Sequence, residues 1–252
     1  MYYYISVSLF VGETERTENM KLVVSDLDGT LLFRGEKEIG KVSANAIDYI
    51  LSEGAAFAVA SGRSYVELKH LLSRWENEIY FFPSDGAIGI YRGETLFSDP
   101  VGAFSSDEFA AHGKYAVYLK SENLPLIRKY MSSYRNHVVR ISDFSEIDAP
   151  VYKIADYTHK GDNGLSAVYK SREMTEYVMQ NVNKARAVKK LLGRLNISEE
   201  NIIAFGDGEN DLELFKSSGT ACAVSSAPPK IKKEADITAD FNEETLKKFI
   251  LK

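Results

Sequence analysis

The chain has 252 residues, 44% of them hydrophobic and 27% charged, and a formal net charge of -5. That balance allows a sizeable core, and the length suits one large domain or a core with an insertion. A nucleic-acid partner needs a concentrated basic footprint and is disfavoured, since the short cluster Lys230, Lys232 and Lys233 is at most a solvated helix face.

The apolar stretch Tyr2 to Val11 is far shorter than the ~20 residues of a membrane span. It has neither a basic flank nor a small-residue cleavage site, so neither a membrane anchor nor a signal peptide is expected. Gly12 to Asn19 is polar, and residues 1–19 read as an N-terminal extension, with the functional domain opening at Met20. The rival reading is an extra edge strand, since Tyr2 to Ile5 has high β propensity.

From Met20 onward, strands and helices alternate. Lys21 to Ser25 reads as a short apolar strand. Ser43 reads as an N-cap, followed by a helical stripe of Ala46, Ile47, Ile50 and Leu51 that Gly54 closes. Ala55 to Ala60 is a second buried strand, Val66 to Trp75 a second helix, and Ile79 to Phe82 a third strand stopped by Pro83.

Residues 84–181 change character and read as an inserted α+β module. Ala87 to Tyr91 and Glu94 to Phe97 flank a turn at Arg92-Gly93. Tyr115 to Leu119 reads as a strand and Leu124 to Tyr134 as a helix. Val151 to Tyr157 and Leu165 to Tyr169 flank the turn-rich run His159 to Gly164. The βα rhythm then returns over 182–252. Ala185 to Leu195 is a helix, Ile202 to Phe205 a strand, Leu212 to Ser217 a helix, Thr220 to Val224 a strand, and Thr245 to Leu251 a closing helix. Apolar strands alternating with helices give the fold class α/β: a doubly wound parallel sheet in two segments, 20–83 and 182–252, around the insertion.

Cys222 is the one cysteine, which excludes an intramolecular disulfide and fits a reducing cytoplasm. After Gly219-Thr220-Ala221 it reads as a small buried hydrophobe. His70, His112, His137 and His159 are scattered with no zinc-like spacing.

Three polar clusters follow three of the buried strands. They are Asp26-Leu27-Asp28-Gly29-Thr30, Ser61-Gly62-Arg63, and Gly206-Asp207-Gly208-Glu209-Asn210-Asp211. Parallel strands end on one edge, and ligands bind in the crevice there, so the clusters are expected to converge. Asp26, Asp28, Asp207 and Asp211 would then crowd four carboxylates together. One like pair at ~4 Å costs about 4 kcal/mol at an effective dielectric of 20. A hard cation resolves that repulsion, and an oxygen-only donor set favours magnesium. A calcium EF-hand loop opening at Asp26 is excluded. Its sixth position would need glycine and holds Leu31, and its twelfth would need glutamate and holds Lys37.

The run Asp26-Leu27-Asp28-Gly29-Thr30-Leu31 resembles the signature of the haloacid dehalogenase superfamily of phosphotransferases. Ser61, Lys184 and Gly206 to Asp211 resemble its second, third and fourth motifs. Their order and spacing match the subclass with a type IIB cap between the second and third motifs, which includes Cof-like, sugar-phosphate and phosphoglycolate phosphatases. The resemblance spans roughly Met20 to Lys252. It implies a Mg2+-dependent phosphatase acting on a small phosphorylated metabolite. Asp26 would be the nucleophile and Asp28 the general acid and base. Ser61, Gly62, Lys184 and Asn210 would hold the phosphoryl group. Asp26, the Asp28 carbonyl and Asp207 would ligate the metal, and Asp211 would support Lys184 or the metal. A phosphomutase of the same superfamily and a non-catalytic phosphometabolite-binding regulator are the alternatives. No nucleic acid or membrane is expected as a partner, and a homodimer is left open.

Departures from the pattern are Ala185 after the lysine, where relatives have Gly, and Asp85 in Ser84-Asp85-Gly86-Ala87, where many have Asn. The ordinary alternatives are a helix cap for Ser61 and a solvated side chain for Lys184, while Arg63 reads equally as a substrate contact or a structural salt bridge. Tyr157, His159 and Lys160 sit at an expected hairpin tip and read chiefly as a solvated turn.

Overall fold

The computed structural model describes residues 20–159 and 164–250; the N-terminal extension, residues 160–163 with Lys160, and residues 251–252 lie outside them. The chain opens with β1 (Leu22–Ser25), α1 (Lys41–Ser52), β2 (Ala56–Ala60), α2 (Tyr65–Leu71) and β3 (Tyr80–Phe82). A hairpin follows, β4 (Ile88–Tyr91) and β5 (Glu94–Ser98), turned by Arg92 and Gly93 at φ 51° and 75°. Two positive φ values in a two-residue loop match the twist of the flanking strands.

The middle carries β6 (Phe109–Gly113), β7 (Val117–Lys120), α3 (Leu124–Tyr134), β8 (Val138–Arg140), β9 (Val151–Asp156), β10 (Ser166–Lys170) and β11 (Thr175–Val178). The chain then returns through α4 (Lys184–Leu195), β12 (Ile202–Gly206), α5 (Leu212–Lys216), β13 (Thr220–Ala223), α6 (Pro229–Lys232), β14 (Ile237–Thr238) and α7 (Glu243–Ile250).

The large sheet has the order β14-β13-β12-β1-β2-β3-β4-β5. Pairings are parallel from β14 to β3 and antiparallel from β3 to β5. Alternation along β1 sends Val23 to one face and Leu22 and Val24 to the other. On the first face α1, α2 and α7 cover Phe57, Phe81 and Phe205; on the second α4, α5 and α6 cover Ala58, Ala60 and Ala204. Burial on both faces is why these strands read as unbroken apolar runs.

Three expectations are corrected. Ser43 is not an N-cap: α1 starts after Gly40, and the Ser43 hydroxyl donates instead to the Leu31 carbonyl at 2.7 Å, tying the helix to the loop after β1. Residues 88–98, expected in the insertion, belong to the large sheet. Ile88 and Ile90 share a core with Phe81, and the tight turn holds β5 against β4. The smaller sheet runs β10-β11-β9-β6-β7-β8, so β9 and β10 are not a hairpin, because β11 lies between them. All six residues of β9 are buried, so it is a central strand and takes a neighbour on each edge, β6 and β11. No helix of the described residues is long and apolar enough to cross a membrane.

On β6, the His112 ring lies 6.1 Å from that of Tyr130 and 5.7 Å from that of Tyr134, both on α3. Neither ring nitrogen has a hydrogen-bond partner. Burial, aided by the charge of Lys153, pulls the His112 pKa from 6.5 to about 3. A depressed histidine contributes stability that is full above its unfolded pKa and is lost as pH falls toward the folded one. Between pH 6.5 and about 3 the unfolded chain therefore binds a proton that the folded chain refuses, which costs about 1.4 kcal/mol per pH unit. Denaturant titrations at pH 6.5, 5.5 and 4.5 are expected to show a shallower acid loss in His112→Phe than in wild type. Equal slopes would contradict the burial argument.

Candidate active site

Three parallel neighbours, β2, β1 and β12, end together on one edge of the large sheet. The Asp26 amide donates to the Phe205 carbonyl at 2.9 Å, which locks the end of β1 beside the end of β12. Asp26 and Asp207, 181 positions apart in sequence, thereby reach one site. Carboxylate oxygens of Asp26, Asp207 and Asp211 all lie within 4.8 Å of one another.

Lys184 is the counter-charge. It is the first residue of α4, whose cap, Asn183, accepts from the Arg186 amide at 2.8 Å. Its Nζ donates to Asp26 Oδ1 at 2.6 Å and to Asp211 Oδ1 at 2.7 Å, and the side chain is 1% exposed. The other Asp211 oxygen accepts from the Asp207 and Gly208 amides at 3.1 and 3.0 Å. Burial alone would lower the lysine pKa, but Asp211 and Asp26 overcome it and hold the ammonium charged. Burial pushes the Asp26 carboxyl up to about 7 against the pull of Lys184, and raises Asp207 as well.

Three carboxylates around one ammonium leave two negative charges uncompensated. The donors are all oxygen and the deficit is that of a dication, so these residues fit a hard divalent ion. Asp207 is the carboxylate least engaged by the protein, with Arg34 at 3.8 Å on a largely exposed side chain. Gly29, at φ 86°, makes room for it: a Cβ there would sit 2.3 Å from Asp207 Oδ2. Glycine is required on both counts.

Asp28 departs from expectation. Its side chain, expected to crowd with the other three carboxylates, takes a two-pronged pair from Arg63, Nε to Oδ2 at 2.8 Å and an Nη to Oδ1 at 2.6 Å. Its carboxylate is therefore not in the acidic cluster. Arg63 is thus committed within the site. Ser61 is buried and accepts from the Arg63 amide at 3.1 Å, while α2 is capped by Ser64 and Glu67. The helix-cap alternative for Ser61 is excluded. Gly62 and Asn210 line the same cleft as Asp26, Asp28 and Asp207.

That cleft has a volume of about 690 Å³, and its far wall comes from the smaller sheet and α3, including His112, Tyr134, Lys153 and Glu176. Sequence reasoning did not single these residues out. The one available signal was Lys153, a lone cation inside the apolar run Val151 to Ala155. Lys153 Nζ lies 2.9 Å from Glu176 and 3.9 Å from Asp85, and donates to the Gly62 carbonyl. Asp85, at φ 58°, is buried, and its amide donates to the Ser61 carbonyl at 2.9 Å. Aspartate in place of the usual Asn thus sets a negative charge opposite Lys153. Tyr157 and His159 are directed elsewhere: Tyr157 meets the Tyr130 hydroxyl at 2.8 Å, and His159 meets Thr175 at 2.9 Å.

Known proteins resemble this chain in sequence and fold. The haloacid dehalogenase-like hydrolase family matches residues 23–115 and 110–249. The 5-amino-6-(5-phospho-D-ribitylamino)uracil phosphatase YbjI of Escherichia coli is 22% identical, over 89% of this chain and 92% of that protein. Phosphoglycolate phosphatase 1 of Saccharolobus solfataricus is 27% identical, over 92% and 94% respectively. The solved structure of the subclass IIB sugar phosphatase BT4131 has the same fold, with a TM-score of 0.70 at 16% identity over 91% of this chain and 98% of that one. With its motifs gathered on one sheet edge beneath an inserted α+β cap, this chain belongs to the haloacid dehalogenase-like hydrolases.

Proposed function

We propose that the protein is a magnesium-dependent phosphatase that hydrolyses small phosphate monoesters through an aspartyl-phosphate on Asp26. The observation that carries this reading is the Lys184 ammonium fixed between Asp26 and Asp211 at 2.6 and 2.7 Å, with Asp207 alongside. Phosphatases among the relatives support it.

Asp26, the Asp28 carbonyl and Asp207 would hold the metal. When bound, it would offset the carboxylate repulsion and polarise the phosphoryl group. Lys184 orients the Asp26 carboxylate by holding one oxygen; the other attacks phosphorus. The new Asp26 O–P bond forms as the ester P–O bond breaks. Ser61, Asn210 and the backbone amide of Gly62 would hold the phosphoryl oxygens, so that positioning and fixed positive charge would supply most of the rate. Asp28 gives its proton to the leaving alkoxide, then takes one from the water that attacks phosphorus and releases Asp26 and phosphate. To do so, Asp28 must exchange Arg63 for the leaving oxygen, so the bound ester has to displace that pair. The reducing cytoplasm that the lone cysteine fits is the proposed location.

With p-nitrophenyl phosphate, turnover is expected with magnesium and not with excess chelator, and free phosphate is the product. Asp26→Asn is expected to lower kcat on the order of a thousandfold or more while leaving a cooperative thermal transition. Retained turnover would refute the nucleophile assignment. In Gly29→Ala the added methyl displaces Asp207, and the magnesium concentration for half-activation is expected to rise about tenfold or more. Calorimetry should show the same loss of magnesium affinity. An unchanged titration would remove Asp207 from the metal site.

A further inference from the structure

We infer that Lys153, on cap strand β9, is a positioning residue for Ser61: through the peptide group between Gly62 and Arg63 it orients the hydroxyl that holds the transferring phosphoryl oxygen. The inference rests on the phosphatase reading and adds to it a residue supplied by the cap.

A cation in the middle of a buried strand is costly and needs partners. Lys153 is 4% exposed and lies between the buried Tyr152 and Ile154. Its Nζ donates to the Gly62 carbonyl and lies 2.9 Å from Glu176 and 3.9 Å from Asp85. Burial would lower the lysine pKa, but Asp85 and Glu176 overcome it and hold the ammonium charged. A charged donor from the cap therefore rests on a backbone carbonyl of the core loop that carries Ser61.

That carbonyl is one end of a planar peptide group, and the Arg63 N–H is the other end. The N–H donates to the Ser61 hydroxyl oxygen at 3.1 Å. An ammonium at the oxygen end draws charge through the peptide and strengthens the N–H as a donor, since hydrogen bonds in a chain polarise one another. A hydroxyl has one proton and two lone pairs. With a lone pair engaged inside the loop, the Ser61 proton is left for a phosphoryl oxygen in the cleft. The neighbouring peptide groups are held by the core. The Asp85 amide donates to the Ser61 carbonyl at 2.9 Å, and the Ser84 amide to the Arg63 carbonyl at 2.8 Å. The group between them, which touches the Ser61 hydroxyl, is held from the cap by Lys153. Gly62 gives that peptide unusual freedom to turn, so it needs the tether.

The test is a double-mutant cycle between Lys153 and Ser61. It is read by kcat/KM for p-nitrophenyl phosphate with magnesium, and by calorimetric affinity for orthovanadate, a phosphoryl mimic, with magnesium. Lys153→Met is expected to lower kcat/KM about tenfold or more, with a parallel loss of vanadate affinity. In the Ser61→Ala background the same substitution is expected to cost less than about twofold, because the hydroxyl it positions is gone. Lys153→Arg, which keeps a charged donor, should recover part of the loss. Lys153→Met strands Asp85 and Glu176, so the cycle is repeated with Asp85→Asn, which removes one stranded charge, and each variant is checked for a cooperative thermal transition. Losses that multiply in both cycles overturn the inference, as does unchanged vanadate affinity in Lys153→Met. Failure of the wild type to turn over any phosphate ester would instead defeat the phosphatase reading, and this inference with it.

Discussion

Everything at the sheet edge depends on an ammonium ion held out of water between two carboxylates. Lys184, Asp26 and Asp211 are 1%, 7% and 0% exposed. Charges buried to this degree survive only as a set, because desolvation of each is repaid by the others; removing one partner costs about 3–5 kcal/mol. The set fixes more than charge. Asp211 also takes the amides of Asp207 and Gly208, so the loop after β12 is folded around the carboxylate that holds the lysine. The lysine in turn presents one oxygen of Asp26. The position of the Asp26 carboxylate is thus inherited from a loop nearly two hundred residues downstream.

The sheet makes this possible at low cost. Parallel strands buried on both faces have no freedom to slide without exposing an apolar face, so their ends are a fixed reference edge. The Asp26 amide still makes a strand-like hydrogen bond to Phe205, and the chain departs only afterward. Glycine enters where two backbones or a backbone and a carboxylate come too close for a side chain. At Gly206 a Cβ would lie 2.5 Å from the Asp211 carboxyl carbon.

The cap meets the core through apolar and polar contacts, and Tyr152 and Val178 join the core cluster of Val59 and Phe81. Lys153 donates to the Gly62 carbonyl, and Tyr134 to Glu67. These bonds cross from cap strand and helix to the loop that follows β2 and to α2. They couple the cap's position to the loop that carries Ser61.

The sequence alone determined the catalytic half. Apolar runs alternating with amphipathic helices dictated a parallel sheet, and polar clusters after successive strands dictated where Asp26, Ser61 and Asp207 would gather. Those signals are local: period, caps and turn residues within about fifteen positions of one another. Tertiary structure decided what depended on partners distant in sequence. The pairing of Asp28 with Arg63 came from there. So did the insertion of β11 between β9 and β10, and the attachment of the 88–98 hairpin to the large sheet. Short strands such as β8 and β14, three and two residues long, carry no periodicity to read. His112 sits in a run of small residues, and its burial and unmet nitrogens exist only once α3 has packed over β6. A side chain's solvation is a property of its neighbours in space, and the order of residues along the chain does not list them.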